Sequence, residues 1–187
     1  MGELAQVYSL DLEQALLVGL LHDAAKDMAP ARQLELAQEV GIPIGHPWDR
    51  EPLYLHGPVG AHVIKNDLGV SDAAVLGAVA THTYWGDGPL FNAPLSWCQR
   101  FADLLEPGRD WSSFELLREG LARFRELVYT GRLREAALLQ TKWLIEWFED
   151  GGVLVHPSMR RVQRELLAAL GLGDGSHLLD PESVSEK

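Results

Sequence analysis

The sequence predicts an all-α protein on three observations. Apolar residues recur at three- and four-residue spacing along most of the chain, no stretch alternates apolar and polar residues like a half-buried strand, and prolines and glycines fall where helices would start and stop. Each element follows from that pattern. Glu3 to Tyr8 reads as the last turns of a helix, because it starts on a helical pattern with no N-cap before it. Asp11 suits the cap of a second helix over Leu12 to Leu21, whose nearly unbroken apolar character predicts burial on most of its circumference. Pro30 opens a third helix and Gly41 closes it.

Residues 42–55 hold three of the ten prolines, which predicts an irregular segment containing His46. A fourth helix is expected from His56, Gly57 and Pro58, with Pro58 at its first position, to Gly69. Ser71 and Asp72 cap a fifth, Ala73 to His82, and Tyr84 to Ala93 forms a loop. From Pro94 the residues Leu95, Cys98, Phe101, Ala102 and Leu105 make one apolar stripe with Asp103 beside it, ended by Glu106, Pro107, Gly108 and Arg109. Three longer helices follow, Ser112 to Thr130, Leu133 to Glu149 and Pro157 to Leu170, in which Trp143, Trp147 and Phe148 read as core. After Gly171 the chain turns polar, and Pro181 to Lys187 is expected to lack a fixed structure.

At 187 residues with 47% hydrophobic side chains, the chain is long enough for one domain with a substantial core. Its 16 basic and 27 acidic residues give a net charge of −11, which argues against a general nucleic-acid surface and against anionic membranes. A small anionic ligand would need a local source of positive charge, most economically metal ions. The lone cysteine, Cys98, permits neither an internal disulfide nor a thiolate zinc cluster. With no leader-like start after Met1 and no apolar run of membrane length, the expectation is a soluble, cytoplasmic protein.

The chemistry centres on His22 and Asp23, an ionisable pair at the end of an apolar helix. Burying such a pair is costly unless a hydrogen-bonded partner or a cation compensates. Adjacent helical residues point about 100° apart, so the two converge only on something held beyond the helix flank. Lys26 lies one turn on, placed to meet an anionic ligand of a cation held there. His56, His82 and Asp103 fall at or near the ends of later helical segments, and together these hard and borderline donors suit a first-row divalent ion. A histidine at a helix end can instead serve the helix dipole, worth about 0.3–1 kcal/mol, so His82 alone decides nothing. His46, His62 and His156 read as loop, helix-surface and turn residues.

The stretches LLHDAAKD (residues 20–27), LHGPVGA (55–61), AVATHT (78–83) and FADLLEPGR (101–109) resemble, in that order, the HD superfamily of metal-dependent phosphohydrolases. More narrowly they resemble its YqeK branch, the symmetrical bis(5′-nucleosyl)-tetraphosphatases, which cleave diadenosine tetraphosphate (Ap4A) to two ADP. The resemblance implies an HD-type helical bundle with extra C-terminal helices: a metal-binding core over residues 1–111, helices over 112–172 packed on the same domain, and a tail over 173–187. It implies two divalent ions, with Fe, Mn or Co favoured. His22, Asp23 and Asp103 would belong to one ion, and Asp23 would bridge to a second held by His56 and His82. It also implies that Lys26 approaches a phosphate and that Thr83 and Arg109 stand near the nucleotide, with Asp23 and Lys26 the catalytic pair. Ions sharing a carboxylate acidify water and neutralise charge developing on phosphoryl oxygens.

Two departures from the family pattern carry expectations of their own. The family's first histidine has no counterpart from Met1 to Asp11, so either the sequence starts too late to include it or the first metal site is one ligand short. The loop after His82 reads Thr83, Tyr84, Trp85, Gly86 in place of a shorter turn, so Trp85 is expected to alter how a base or ribose is received. Other HD-type nucleotide phosphohydrolases, and an HD domain that binds nucleotide without cleaving it, share the same residues. A nucleotide is the expected partner; a homodimer is compatible with the sequence but not specified by it.

Overall fold

The computed structural model describes residues 1–111 and 114–173, the Leu116 side chain excepted. The expected helix start at Ser112 and the expected disorder of Pro181 to Lys187 lie outside the described residues. Within them the chain is all-α: α1 (Gly2–Val7), α2 (Leu12–Leu21), α3 (Pro30–Glu39), a short 3-10 helix (Pro47–Arg50), α4 (Pro52–Asp67), α5 (Ala73–Thr81), α6 (Pro94–Leu104), α7 (Glu115–Tyr129), α8 (Leu133–Asp150) and α9 (Pro157–Ala169).

Two aspartate caps align the helices that carry the chemistry. Asp11 accepts from Gln14 N at 2.9 Å and starts α2, while Asp72 Oδ1 accepts from Ala74 N at 2.8 Å and Val75 N at 3.0 Å and starts α5. Gln14 Nε2 donates to Asp72 Oδ2 at 2.9 Å, joining the two helix starts. The helices are ten and nine residues long, so they also end together, with His22 and His82 as their C-caps. Small residues make this close packing possible: Ala15 and Val18 of α2 bury against Val75, Ala78 and Val79 of α5, with Ile64 of α4.

Helix α2 departs from the expectation of burial on most of its circumference. Only Ala15 and Val18 are buried, and Leu12, Leu16 and Leu20 are 52%, 52% and 80% exposed along one stripe. Apolar content forecast burial, but the contacts with α1, α5 and α6 leave the Leu12, Leu16 and Leu20 stripe uncovered.

The start of α4 is a second correction. Pro52, not Pro58, occupies its first turn, so His56 sits in the second turn and Pro58 inside the helix. An interior proline has no N–H to offer the carbonyl four residues back, here that of Tyr54. The structure supplies another donor: Thr83 Oγ1, one residue beyond His82, donates to Tyr54 O at 2.7 Å. The proline that should weaken α4 thus creates the acceptor that ties the end of α5 to it. Thr83→Val keeps the shape and removes the donor, leaving that part-buried carbonyl unpaired. A loss of about 1–3 kcal/mol is expected, visible as a fall of several degrees in Tm; an unchanged melting curve would mean water replaces the hydroxyl.

The carbonyl end of α5 is held from the other side by Arg100 of α6. Its guanidinium is buried, donates to Thr81 O at 2.6 Å and Phe91 O at 2.9 Å, and lies 4.3 Å over the Phe91 ring and 4.5 Å over Trp97. Burial pulls its pKa down to about 10, which leaves it charged at neutral pH. A cation at a helix C-terminus opposes the dipole there and satisfies a carbonyl that the helix leaves unpaired.

The larger core lies among α6, α7, α8 and α9 and is rich in aromatic rings, with Trp97, Phe101, Phe124, Trp143 and Phe148 buried. Trp147, expected in the same stripe, is 40% exposed. His156 caps α9, its Nδ1 accepting from Ser158 N at 3.2 Å ahead of Pro157. His46 stacks on Trp48 and remains exposed, and His62 bonds its own helix through Asn66.

Candidate metal centre

The ends of α2 and α5 and the second turn of α4 meet at one point. His56 Nε2 and His82 Nε2 are 3.1 Å apart, and Asp23 Oδ1 lies 3.3 Å from the first and 3.5 Å from the second. The three donor atoms fall within 4.8 Å of one another, a spacing that could hold a metal ion. Both histidines are buried.

The other ring nitrogen of each histidine decides what this meeting means. His56 Nδ1 is 3.0 Å from Pro52 O, and His82 Nδ1 is 2.7 Å from Val79 O. A carbonyl only accepts, so Nδ1 carries a proton in both rings, and in that neutral tautomer a ring turns the Nε2 lone pair toward its partner. Two lone pairs beside a carboxylate repel unless a positive charge lies among them. A proton or a metal ion could supply it; burial lowers the His82 pKa against the pull of Asp23, so that ring is poorly suited to carry the charge itself. The donor set therefore fits a divalent cation, with backbone carbonyls fixing each imidazole as expected for metal-ligating histidines.

His22 and Asp103 stand on the other side of Asp23. His22 repeats the pattern, with Nδ1 3.0 Å from Gly19 O, and its ring centroid is 5.1 Å from that of His82. Its Nε2 is 3.4 Å from Asp23 and 3.7 Å from Asp103, within reach of their charge but without a hydrogen bond. Burial disfavours charging His22, yet Asp103 and then Asp23 outweigh it and raise its pKa. Burial would likewise raise the Asp23 carboxyl, but His56, His82 and Lys26 hold it far below the usual carboxylate range. Asp103 is also lowered, by His22 and Arg109 acting against burial.

Both cations near the centre are engaged with its carboxylates. Lys26 Nζ donates to Asp23 Oδ2 at 2.7 Å, and Arg109 pairs with Asp103. A cleft of about 650 Å³ opens beside them, lined by His22, Asp23, Lys26, Asp103, Glu106 and Arg109, together with Asp110, Trp111, Phe114 and Trp147. Four carboxylates against two cations make this an unfavourable place for an anion unless further positive charge is bound.

Of the residues singled out from sequence, His22, Asp23, His56, His82 and Asp103 come together, and Lys26 and Arg109 join them at the cleft. Thr83 is not among the cleft-lining residues, because its hydroxyl is committed to Tyr54. Trp85 is also absent from the lining and packs toward His156, with ring centroids 5.6 Å apart. Gly57, Arg100 and Trp111 carry no functional role in the sequence pattern, and Trp147 reads there as core. Pro58 inside a helix and an arginine within an apolar stripe were the only local signals of the first two.

This helical bundle, with a His-Asp doublet at one helix end facing two further histidines and an aspartate from α6, has the donor arrangement of the HD class. The HD domain family matches residues 1–138, and the chain belongs to that family. It is 27% identical over 117 residues to a symmetrical bis(5′-nucleosyl)-tetraphosphatase of Bacillus subtilis, covering 63% of this chain and 61% of that one. It is 32% identical over 151 residues to a probable nicotinate-nucleotide adenylyltransferase/Ap4A hydrolase of Mycoplasma genitalium, covering 79% of this chain and 40% of that one. The chain thus spans less than two thirds of the length of these relatives. A crystal structure from Clostridium acetobutylicum, described as a predicted HD superfamily hydrolase involved in NAD metabolism, is similar with a TM-score of 0.76 and 28% identity, over 89% of this chain and 82% of that one. No helix among the described residues is long and apolar enough to cross a membrane.

Proposed function

We propose that the protein is a divalent-metal-dependent phosphohydrolase that cleaves dinucleoside polyphosphates, with Ap4A split symmetrically into two ADP. The observation that carries this reading is the approach of His56 Nε2, His82 Nε2 and the Asp23 carboxylate to within 3.1–3.5 Å of one another, a donor set that fits a cation. Similarity to proteins named for Ap4A hydrolysis supports the choice of substrate. In this reading Asp23, His56 and His82 hold one ion, and His22 and Asp103 join Asp23 at a second, with Fe, Mn or Co as the metals. Bound divalent ions would acidify water and neutralise phosphoryl charge.

The chain's own residues have defined work in this scheme. Lys26, now on Asp23, and Arg109, now on Asp103, are the two cleft cations that a polyphosphate would recruit. Arg109 offers parallel donors to two phosphate oxygens and can steady the departing ADP, while Lys26 acts as a point charge. The reading also keeps a cytoplasmic location, consistent with the buried free thiol of Cys98.

The test is product analysis. Protein loaded with Mn or Co and given Ap4A is expected to release ADP alone, resolved by ion-exchange chromatography. ATP with AMP would refute symmetrical cleavage. Tight nucleotide binding without turnover at full metal content would make the protein a nucleotide-binding HD domain rather than a hydrolase.

A further inference from the structure

The cleft joins two kinds of wall. From the Asp103 carboxylate the contacts run to Arg109, whose guanidinium lies 5.5 Å over the Trp111 ring, then to Trp147 at 6.1 Å and Phe114 at 6.2 Å between ring centroids. An aromatic cluster on packed helices is usually core, as Trp143 and Phe148 beside it are. Trp147 differs: it lines the cleft and is 40% exposed. Trp111 donates its Nε1–H to Leu104 O at 3.1 Å, which sets the plane of its indole before any ligand arrives. A large indole that lines an open cleft, braced edge-on by Trp111 and packed against Phe114 and Phe148 at 33° and 34°, offers its remaining apolar surface at low ordering cost.

We propose that Trp147, backed by Trp111 and Phe114, is a stacking platform for a nucleobase, so that the cleft receives the nucleoside end of its ligand there while the phosphates reach Arg109 and Lys26. The proposal rests on the phosphohydrolase reading for its ligand class and adds the residues that hold the base. Every base has a π face, so the platform favours nucleotides over inorganic polyphosphate without selecting strongly among bases.

Binding of ADP and of pyrophosphate, each with Mn²⁺, can be compared by calorimetry for the natural chain, Trp147→Phe and Trp147→Leu. Leucine keeps apolar bulk on α8 but has no π face, and thermal melting checks that both variants fold. The expected result is a loss of about tenfold or more in ADP affinity for Trp147→Leu, with pyrophosphate within twofold of the natural chain and most ADP affinity retained in Trp147→Phe. Unchanged ADP affinity in Trp147→Leu, an equal loss of ADP and pyrophosphate, or no preference of the natural chain for ADP would each overturn the platform. Ap4A turnover in the same preparations judges the hydrolase reading separately. Trp147-dependent ADP binding without turnover keeps the platform and sinks the hydrolase; turnover with kcat and KM untouched by Trp147→Leu does the reverse.

Discussion

Asp23→Ala is expected to bring the proposed metal-supported phosphohydrolysis down by about two to three orders of magnitude or more, because in that reading several kcal/mol of charge stabilisation would pass through the site this carboxylate anchors. Among the described residues its Oδ1 is the carboxylate oxygen that pairs with the His56 and His82 nitrogens, and its Oδ2 meets Lys26 and lies near His22. Removing it leaves two buried imidazoles facing each other with no negative group to help hold a cation. Metal content by mass spectrometry should fall together with turnover. Asp23→Asn separates charge from shape, since it keeps the volume and one oxygen; it too should lose metal. His46→Ala and His62→Ala are the controls, and neither should change the rate, for His46 stacks on Trp48 and His62 bonds within its own helix. Near-normal turnover in Asp23→Ala, or a large loss in either control, would mean that the reacting centre lies elsewhere.

Gly57→Ala is expected to cost both stability and activity, although helix propensity alone predicts the opposite. In an open helix the change gains about 1 kcal/mol. Here a Cβ would stand 2.8 Å from Ala80 O, 3.3 Å from Val79 O and 2.7 Å from Thr83 Oγ1. Two of those atoms are backbone of the last turn of α5, and the third is the hydroxyl that satisfies the Tyr54 carbonyl. None is the free end of a flexible chain, so α5 must move away from α4. The move separates His56 from His82, residues that flank the crossing. Overpacking of this kind costs about 1–3 kcal/mol, enough to reverse the propensity gain and lower Tm, and the displaced imidazole should reduce metal retention and turnover at least about tenfold. A Gly57→Ala protein that melts and turns over like its parent would show that the α4 and α5 contact is not what sets the distance between the histidines.

These two residues show how differently the parts of the site could be read. Asp23 was legible because it follows His22 at the end of an apolar helix, and because three more motifs come after it in order. Gly57 was not, because its meaning depends on which carbonyls of a helix twenty-odd residues later come against it. Thr83 illustrates the same limit. Its position in the motif suggested a ligand contact, whereas the missing N–H of Pro58 makes it the donor for Tyr54. Trp147 and Phe148 are neighbours on one stripe, yet only Phe148 is buried, since the packing of α8 against α7 and α9 leaves one indole at the cleft.

Short-range pattern alone settled the helical class, the aspartate caps at Asp11 and Asp72 and most helix limits, because these depend on the 3.6-residue repeat and on groups a few bonds apart. Packing in three dimensions settled the rest. It left the Leu12, Leu16 and Leu20 stripe uncovered, carried α4 back to Pro52, and aimed the His56 and His82 lone pairs at one point. Those outcomes turn on backbone atoms and side chains brought together from far apart in the chain, and a one-dimensional pattern does not contain the distances between them.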